Sequence, residues 1–325
     1  MLKKYLSVLL LISFFLYFYH KKNHTIPSVT LLQKDLQLSP RPPFQREFVI
    51  PPVKIIHPPG NSTKPLGEKS KKTTEEDVRE FTSIEDFQAY NLVPQDEDGN
   101  IYITDAVVEG EHLIAHGDII VGSSRNVGKY GDDKEALIMP VPSFWPKGII
   151  PFVIEKNLPQ ENLVKKILTE MNSLTHLRFI VRTNEINFVK FKKGPRNCYS
   201  HVGMIGGEQF VSLGLRCGRK EILHEIMHTV GFFHEQNRMD RDEYVQILWE
   251  NIAEEHWPQF QKIKTQFWEK FNFPFSFNSI LLYPSRAFSQ HPRDYSIVTV
   301  DGTPFSSVNN LSSEDIARIN KIYSR

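Results

Sequence analysis

Three histidines with a fixed spacing are the residues of this chain best suited to hold a metal ion. His224 and His228 lie four positions apart, so on a helix their imidazoles point in similar directions, roughly 40° apart around the axis. On a continuous helix, His234 would lie about 15 Å from His224, far beyond a Zn–N bond of about 2.0–2.1 Å. The helix must therefore end between them. Gly231 can adopt the left-handed conformation that is common at helix ends, and it allows the chain to bring His234 back to the metal.

A glutamate next to the first histidine suits acid–base chemistry. Three neutral imidazoles leave one position of a tetrahedral zinc ion for water, which is the arrangement of a catalytic zinc site. Glu225 points away from His224 around the helix, so it can take a proton from that water and pass it to a leaving amine. The alternative is an ordinary amphipathic helix with incidental histidines. Its apolar face would consist of Ile222, Leu223, Ile226, Met227 and Val230. The third histidine and the glycine favour the metal site.

Charge and the N-terminal residues indicate where the protein acts. The net charge is +1 and the basic residues are dispersed, which argues against a nucleic-acid partner. Lys3 and Lys4 precede an apolar run over residues 5–19, so residues 1–22 resemble a secretory signal. No small-residue cleavage site is evident, and an uncleaved membrane anchor is the alternative. Either interpretation predicts a secreted or extracytoplasmic protein, with membrane contact only if the segment stays uncleaved.

Changes in composition divide the rest of the chain. Proline is dense over residues 23–72, which predicts an extended linker. A helix is predicted over residues 76–90 and a strand over residues 101–108, and the composition changes again at Ala136. Beyond it we predict helices at residues 160–174 and after the N-cap Ser312, and strands at residues 152–154, 177–181, 188–191 and 210–213. These elements favour a mixed sheet with helices packed on it.

The chain has two cysteines, Cys198 and Cys217, just before the histidine helix. In an exported protein they predict a disulfide that closes a loop of about 20 residues and contributes about 3 kcal/mol. A pair of free thiols is the alternative. The charged residues at 235–242, directly after the third histidine, indicate either a solvated turn or an ion-pair network.

Taken together, these residues resemble the signature of the astacin family of metzincin endopeptidases. The matching residues are His224, Glu225, His228, Gly231, Phe232, His234, Glu235, Arg238, Asp240, Arg241 and Asp242. Residues 145–152, the Cys198–Cys217 pair and residues 311–323 are also similar to the family. The resemblance covers about residues 136–325. It implies an α+β, metzincin-type domain with two lobes, a mixed twisted sheet with helices above and a largely irregular lower lobe with a C-terminal helix.

The resemblance implies one zinc ion per chain and roles for further residues. Tyr283 is similar to the family tyrosine that binds zinc at rest and swings to stabilise the oxyanion; a core tyrosine is the alternative. Asp118 resembles the propeptide aspartate that covers the zinc, although Ala115 stands where the family has phenylalanine; a turn aspartate is the alternative. Residues 23–135 would then be a propeptide that an activating protease removes, and residues 136–325 the catalytic domain.

By the same resemblance, cleavage would create an N-terminus at Ala136, whose ammonium is expected to reach Glu235 and order the lower lobe. One departure from the family is Leu281, which stands where the family has the methionine below the zinc; another is the absence of the second family disulfide. We expect a latent zinc endopeptidase that acts on protein or peptide substrates. The alternative that Leu281 raises is a catalytically silent zinc-binding or adhesive protein, and a structural zinc module is a further one.

Overall fold

The computed structural model describes residues 92–93, 95, 99–103, 105–129, 137–139, 141–264 and 271–324, and the backbone alone at residues 54–56 and 127–129. The predicted signal or anchor, most of the linker, the predicted helix over residues 76–90 and Ala136 lie outside these residues. Among the residues described, no helix has the length and apolar character needed to cross a membrane.

Thirteen strands and three α-helices occur in the described part of the chain. The strands are β1 Lys54–Ile56, β2 Ile101–Tyr102, β3 Asp105–Glu109, β4 His112–Ala115, β5 Ile119–Ser123, β6 Ile138–Met139, β7 Ile149–Ile154, β8 Arg178–Val181, β9 Phe188–Lys193, β10 Cys198–Ser200, β11 Glu208–Leu213, β12 Val245–Ile247 and β13 Ile297–Thr299. The helices are α1 Glu161–Leu174, α2 Arg219–Thr229 and α3 Ser313–Ile322. The predicted helices and the four predicted strands after Ala136 are confirmed.

The strand predicted over residues 101–108 is two strands with different partners. Residues of β2 pair with β6, whereas β3 pairs with β4 in the main sheet. Ile103 lies between them, and its N–H donates to the carbonyl of Leu137 at 2.9 Å. β2 and β3 therefore belong to different sheets. The prediction of one continuous strand was therefore wrong.

The main sheet has the order β1-β3-β4-β5-β10-β11-β9-β7-β8 in the residues described. Its second half is mainly parallel: β7 pairs with β8 and β9, and β9 pairs with β11, all in parallel. β10 runs antiparallel to β11 and meets β5 in parallel at one pair, Ser200 and Ile119. Strands from before residue 136 thus extend the sheet formed after it, beside the histidine helix.

One core joins α1 and α2 to this sheet. The predicted stripe of α1 contributes Val164, Ile167, Leu168 and Met171, and all four side chains are buried. The apolar face of α2 is buried with them, together with Val189, Phe191 and Val211 of the sheet. Each fully buried side chain of this kind stabilises the fold by about 1.5–3 kcal/mol. The helix that carries the first two histidines is therefore fixed by packing.

After α2 the chain is largely irregular, as predicted. It forms the short β12–β13 pair and a cluster of aromatic side chains around Phe260 and Tyr283. α3 closes the chain, and its predicted N-cap is confirmed: the Ser312 hydroxyl accepts a bond from the N–H of Asp315, whose carboxylate accepts from the N–H of Ser312. The fold is α+β.

The strands that precede residue 136 contribute to a second core. Its buried members are Val93, Ile101, Ile103, Ala106, Leu113, Ala115, Ile119, Leu137, Met139, Val202, Phe233 and Ile263. Three of these, Val202, Phe233 and Ile263, lie far beyond residue 136. Val93 also donates from its N–H to the carbonyl of Lys262 at 2.9 Å. The earlier segment therefore packs on the later one.

Candidate metal and catalytic site

The chain reverses direction where the sequence predicts. α2 ends at Thr229, and Gly231 follows with a φ of 109°, which strongly favours glycine. Its N–H donates to the carbonyl of His228 at 2.8 Å, which closes the end of the helix. The next residues return to the helix and bring His234 beside the two helical histidines.

The three Nε2 atoms form a nearly equilateral triangle. The distances are 3.1 Å between His224 and His228, 3.1 Å between His224 and His234, and 3.2 Å between His228 and His234. A tetrahedral zinc ion with bonds of about 2.0–2.1 Å would space its ligands about 3.3–3.4 Å apart. The observed triangle is close to that spacing.

In His224 and His228, the hydrogen bond made by Nδ1 determines that Nε2 faces the centre of the triangle. Nδ1 of His224 lies 2.8 Å from the carbonyl of Ile280, and Nδ1 of His228 lies 2.7 Å from the carbonyl of Phe232. A carbonyl only accepts, so each Nδ1 carries the proton and each Nε2 presents a lone pair. This is the tautomer that a metal-binding histidine requires.

Asp118 lies over the triangle, in the turn between β4 and β5. Its Oδ2 is 3.0 Å from Nε2 of His224, and its Oδ1 is 3.3 Å from Nε2 of both His228 and His234. Burial alone would raise the pKa of Asp118, but the three histidines hold it well below its usual range. Oδ1 is buried without a hydrogen-bond partner among the described residues. Lone pairs that converge in this way need a cation, and the one oxygen and three nitrogens fit zinc.

The turn that carries Asp118 is held at two backbone atoms. The carbonyl of Asp118 accepts a bond from the N–H of Ser200 at 3.0 Å, and the carbonyl of His116 accepts one from the hydroxyl of Tyr283 at 3.1 Å. Gly117 between them has a φ of 92°, and a Cβ there would lie 2.1 Å from the Tyr283 hydroxyl. Only glycine fits this position without movement of its neighbours.

Comparison with known proteins decides the family. Residues 139–324 match the family model of astacin, which is described as a peptidase family. The chain belongs to the astacin family. It is 37% identical over 186 residues to zinc metalloproteinase nas-6 of Caenorhabditis elegans, covering 55% of this chain and 54% of that protein.

For two further relatives, the alignment with this chain covers a larger share of the relative. The chain is 36% identical over 229 residues to astacin-like metalloprotease toxin 1 of Loxosceles intermedia, covering 67% of this chain and 80% of the toxin. The solved structure of the hatching enzyme zinc-protease HCE-1 from Oryzias latipes aligns with a TM-score of 0.51 and 34% identity, over 56% of this chain and 93% of that one. By contrast, the chain spans 32% of nas-15 and about half of nas-6.

In this astacin-family site, Glu225 is buried beside the histidines and faces the cleft. Its Oε2 lies 2.6 Å from the hydroxyl of Ser200. The side chain lines a cavity of about 420 Å³ together with His224, Asp118 and Tyr283. Burial raises the pKa of Glu225 well above its usual range, and the charge of Asp118 raises it further. Departure of Asp118 would therefore make Glu225 a stronger acid and open the space in front of it.

Tyr283 lies against the third histidine, with its ring centroid 4.6 Å from that of His234. Burial raises the pKa of Tyr283, and the charge of Asp118 adds to that rise, so the phenol is neutral and can donate a hydrogen bond. In this chain it donates to the backbone carbonyl of His116. Leu281, two residues earlier, is buried in the core shared with α2 and offers no ligand atom.

Glu235 already has cationic partners. Its Oε1 lies 2.5 Å from Nη1 of Arg318 on α3, and its Oε2 lies 3.6 Å from Nη1 of Arg238. The charged stretch after His234 is therefore an ion-pair network that is only partly buried: Arg238 and Arg241 are buried, whereas Asp242 is exposed. Because Ala136 lies outside the described residues, its expected contact with Glu235 stays a prediction.

Asp315 and Arg318 were not predicted from the sequence, and both connect α3 to the metal ligands. Asp315 accepts from the hydroxyl of Ser279 at 2.7 Å and from the N–H of Ile280 at 3.1 Å. The carbonyl of Ile280 in turn orients His224. No signal in the sequence places these residues together, because they lie 35 or more positions apart.

The predicted disulfide is present. Cys198 of β10 is bonded to Cys217, just before α2, with Cα atoms 6.1 Å apart. It ties β10, the strand that pairs with β5, to the start of the histidine helix. The alternative of two free thiols is excluded.

Proposed function

We propose that this chain is a zinc-dependent endopeptidase that is made in a latent form, is exported, and hydrolyses peptide bonds in extended polypeptides. One observation supports this above all others: three imidazole lone pairs and the Asp118 carboxylate converge on one point beside a buried glutamate. The matched relatives include proteins named as zinc metalloproteinases, a metalloprotease toxin and a hatching enzyme, which support the same activity.

Each residue of the site has a part in the proposed reaction. His224, His228 and His234 would hold the zinc ion. When bound, zinc supplies a Lewis acid for the peptide carbonyl and lowers the pKa of water. Glu225 accepts the proton of the attacking water and passes it to the leaving amine, while the Tyr283 hydroxyl donates to the oxyanion.

Latency follows from the position of Asp118. The carboxylate takes the place that the attacking water needs, and the same turn holds the Tyr283 hydroxyl through the carbonyl of His116. Cleavage near Ala136 by an activating protease would release the segment that carries both contacts. The disulfide supports folding in an oxidising compartment, in agreement with the export signal. Tethering to a membrane would require residues 1–22 to stay attached.

The test is a comparison of hydrolysis and zinc content. Full-length protein activated by limited proteolysis should digest a denatured protein substrate, hold one zinc ion per chain, and lose activity to a chelator. Glu225→Gln should lower kcat by about 10²–10⁴-fold with zinc retained. Glu161→Gln, at a glutamate of α1 whose side chain is 42% exposed, serves as the matched control and should be unchanged. Full zinc occupancy without hydrolysis would contradict the proposal and favour the silent zinc-binding or adhesive protein. Four protein ligands in the activated protein would favour a structural zinc module.

A further inference from the structure

One buried hydroxyl next to the proposed general base has no part in the reaction described above. Ser200 is the last residue of β10 and is 0% exposed. Its Oγ lies 2.6 Å from Oε2 of Glu225 and 3.1 Å from the backbone carbonyl oxygen of Glu225. A hydroxyl carries a single proton, so the two contacts compete for it.

The carboxylate is the better acceptor. The carbonyl of Glu225 already accepts a bond from the hydroxyl of Thr229 at 2.8 Å. The contact to the carboxylate is also the shorter of the two, at 2.6 Å against 3.1 Å. The proton of Ser200 therefore points at the carboxylate of Glu225.

The strand that carries Ser200 is fixed relative to the helix that carries Glu225. β10 pairs with β11 from Cys198 to Ser200, and the disulfide joins Cys198 to Cys217 just before α2. The glutamate side chain, by contrast, has several rotatable bonds between its backbone and its carboxylate. A general base must stay within about 2.6–3.2 Å of the proton it takes. A rigid donor on the neighbouring strand limits that freedom.

We propose that Ser200 is a positioning residue that holds the Glu225 carboxylate toward the metal site during catalysis. The proposal rests on the proposed function of the chain as a zinc endopeptidase. The backbone N–H of Ser200, which donates to the carbonyl of Asp118 in this latent form, is unaffected when the hydroxyl is removed. Loss of the hydroxyl should therefore lower kcat and leave KM unchanged.

The test compares Ser200→Ala with a matched control in the full-length chain after identical proteolytic activation. Ser212 faces Tyr199 across the β10–β11 ladder, is 0% exposed, and its hydroxyl has no hydrogen-bond partner among the described residues. Ser212→Ala thus measures the cost of removing a buried serine oxygen from the same sheet. Ser200→Ala is expected to lower kcat by about 10- to 100-fold, the usual effect of losing a residue that orients a metal-site group. KM and zinc content should match those of Ser212→Ala.

A double-mutant cycle separates positioning from a general defect. In the Glu225→Gln background, Ser200→Ala should cause little further loss, because the base it orients is already absent. A loss of the same size in both backgrounds, as poor folding would give, contradicts the proposal. Equal kcat values for Ser200→Ala and Ser212→Ala would also contradict it, provided that the wild-type enzyme is active. A zinc-loaded wild-type enzyme that hydrolyses nothing would instead refute the proposed function itself.

Discussion

The two sides of the metal site are held by different parts of the molecule. On the histidine side, the two helical rings are held by residues after Ala136. Carbonyls of Ile280 and Phe232 lie 2.8 and 2.7 Å from Nδ1 of His224 and His228, and α2 is packed into the main core. We therefore expect these contacts to persist if the proposed propeptide is removed.

The opposite side is held by a turn of the proposed propeptide. Residues 116–118 are bound near the site through the carbonyls of His116 and Asp118 and through Nδ1 of His116, which lies 3.1 Å from the carbonyl of Pro258. β5 adds one residue pair to β10. In the proposed function, three ligands are permanent and the fourth is removable. This difference would allow one chain to assemble the site completely and still keep it closed.

Substitution of Arg318 tests the permanent side and should have the largest effect on stability. Arg318→Met leaves the buried carboxylate of Glu235 with the more distant Arg238, at 3.6 Å. Removing one partner of a buried ion pair typically costs about 3–5 kcal/mol, and we expect the lower end of that range. Urea unfolding of the full-length chain measures the change. Lys321→Met, an exposed position on the same helix, should cost less than about 1 kcal/mol. Equal effects of the two substitutions would show that the pair with Glu235 does not stabilise the site.

Substitution of Gly117 tests the removable side. A Cβ at this position would lie 2.1 Å from the Tyr283 hydroxyl, in a backbone with a φ of 92°. We expect Gly117→Ala to weaken the closed turn by about 2 kcal/mol. The activity of the unprocessed chain should then rise about 30-fold. Initial rates with a fluorogenic peptide provide the measurement.

Gly110→Ala is the matched control for the turn. Gly110 also precedes residue 136 and has a φ of 61°, but the nearest atom to a Cβ there is Cγ of Pro195 at 3.5 Å. It therefore has comparable backbone strain without the collision. If both variants stay equally latent, contact with Tyr283 does not limit how the turn fits.

Substitution of Leu281 is expected to have the smallest effect. Its side chain is 1% exposed, and neither leucine nor methionine contributes a ligand. Leu281→Met nearly conserves volume, so the free energy of unfolding should change by less than about 1.5 kcal/mol, with kcat and zinc content unchanged. A marked gain in kcat would contradict this expectation and show that the leucine limits catalysis.

The permanent side of the site was largely predictable from the sequence, because its determinants are local. The spacing of His224 and His228 on one helix and the glycine before His234 are short-range features, and the stripes of α1 and α2 follow from hydrophobic periodicity. Asp118 was found through the family resemblance alone, since a single aspartate in a turn has no distinctive chemistry.

The supporting contacts could not be predicted from the sequence. Ser200 and Glu225 are 25 positions apart, and Arg318 and Glu235 are 83 apart. They meet only once the sheet and the C-terminal helix have assembled. The division of residues 101–108 into two strands depends in the same way on pairing with β6. Glu235 and Arg238 of the charged stretch are buried, and Glu235 pairs with Arg318 from the distant C-terminal helix.

The substitution Asp118→Ala in the full-length, unprocessed chain is the most direct test of the proposal that Asp118 keeps the site closed. Peptide hydrolysis, zinc content and intact mass are measured on the same sample, so that loss of the propeptide is detected. We predict that the variant holds one zinc ion per chain through His224, His228 and His234. Its rate should be about tenfold or more above that of the unprocessed wild type, because destabilising the closed state by about 1.4 kcal/mol is enough for that change. An intact Asp118→Ala chain that holds zinc and is as inactive as the wild type would contradict the claim that this carboxylate keeps the site closed.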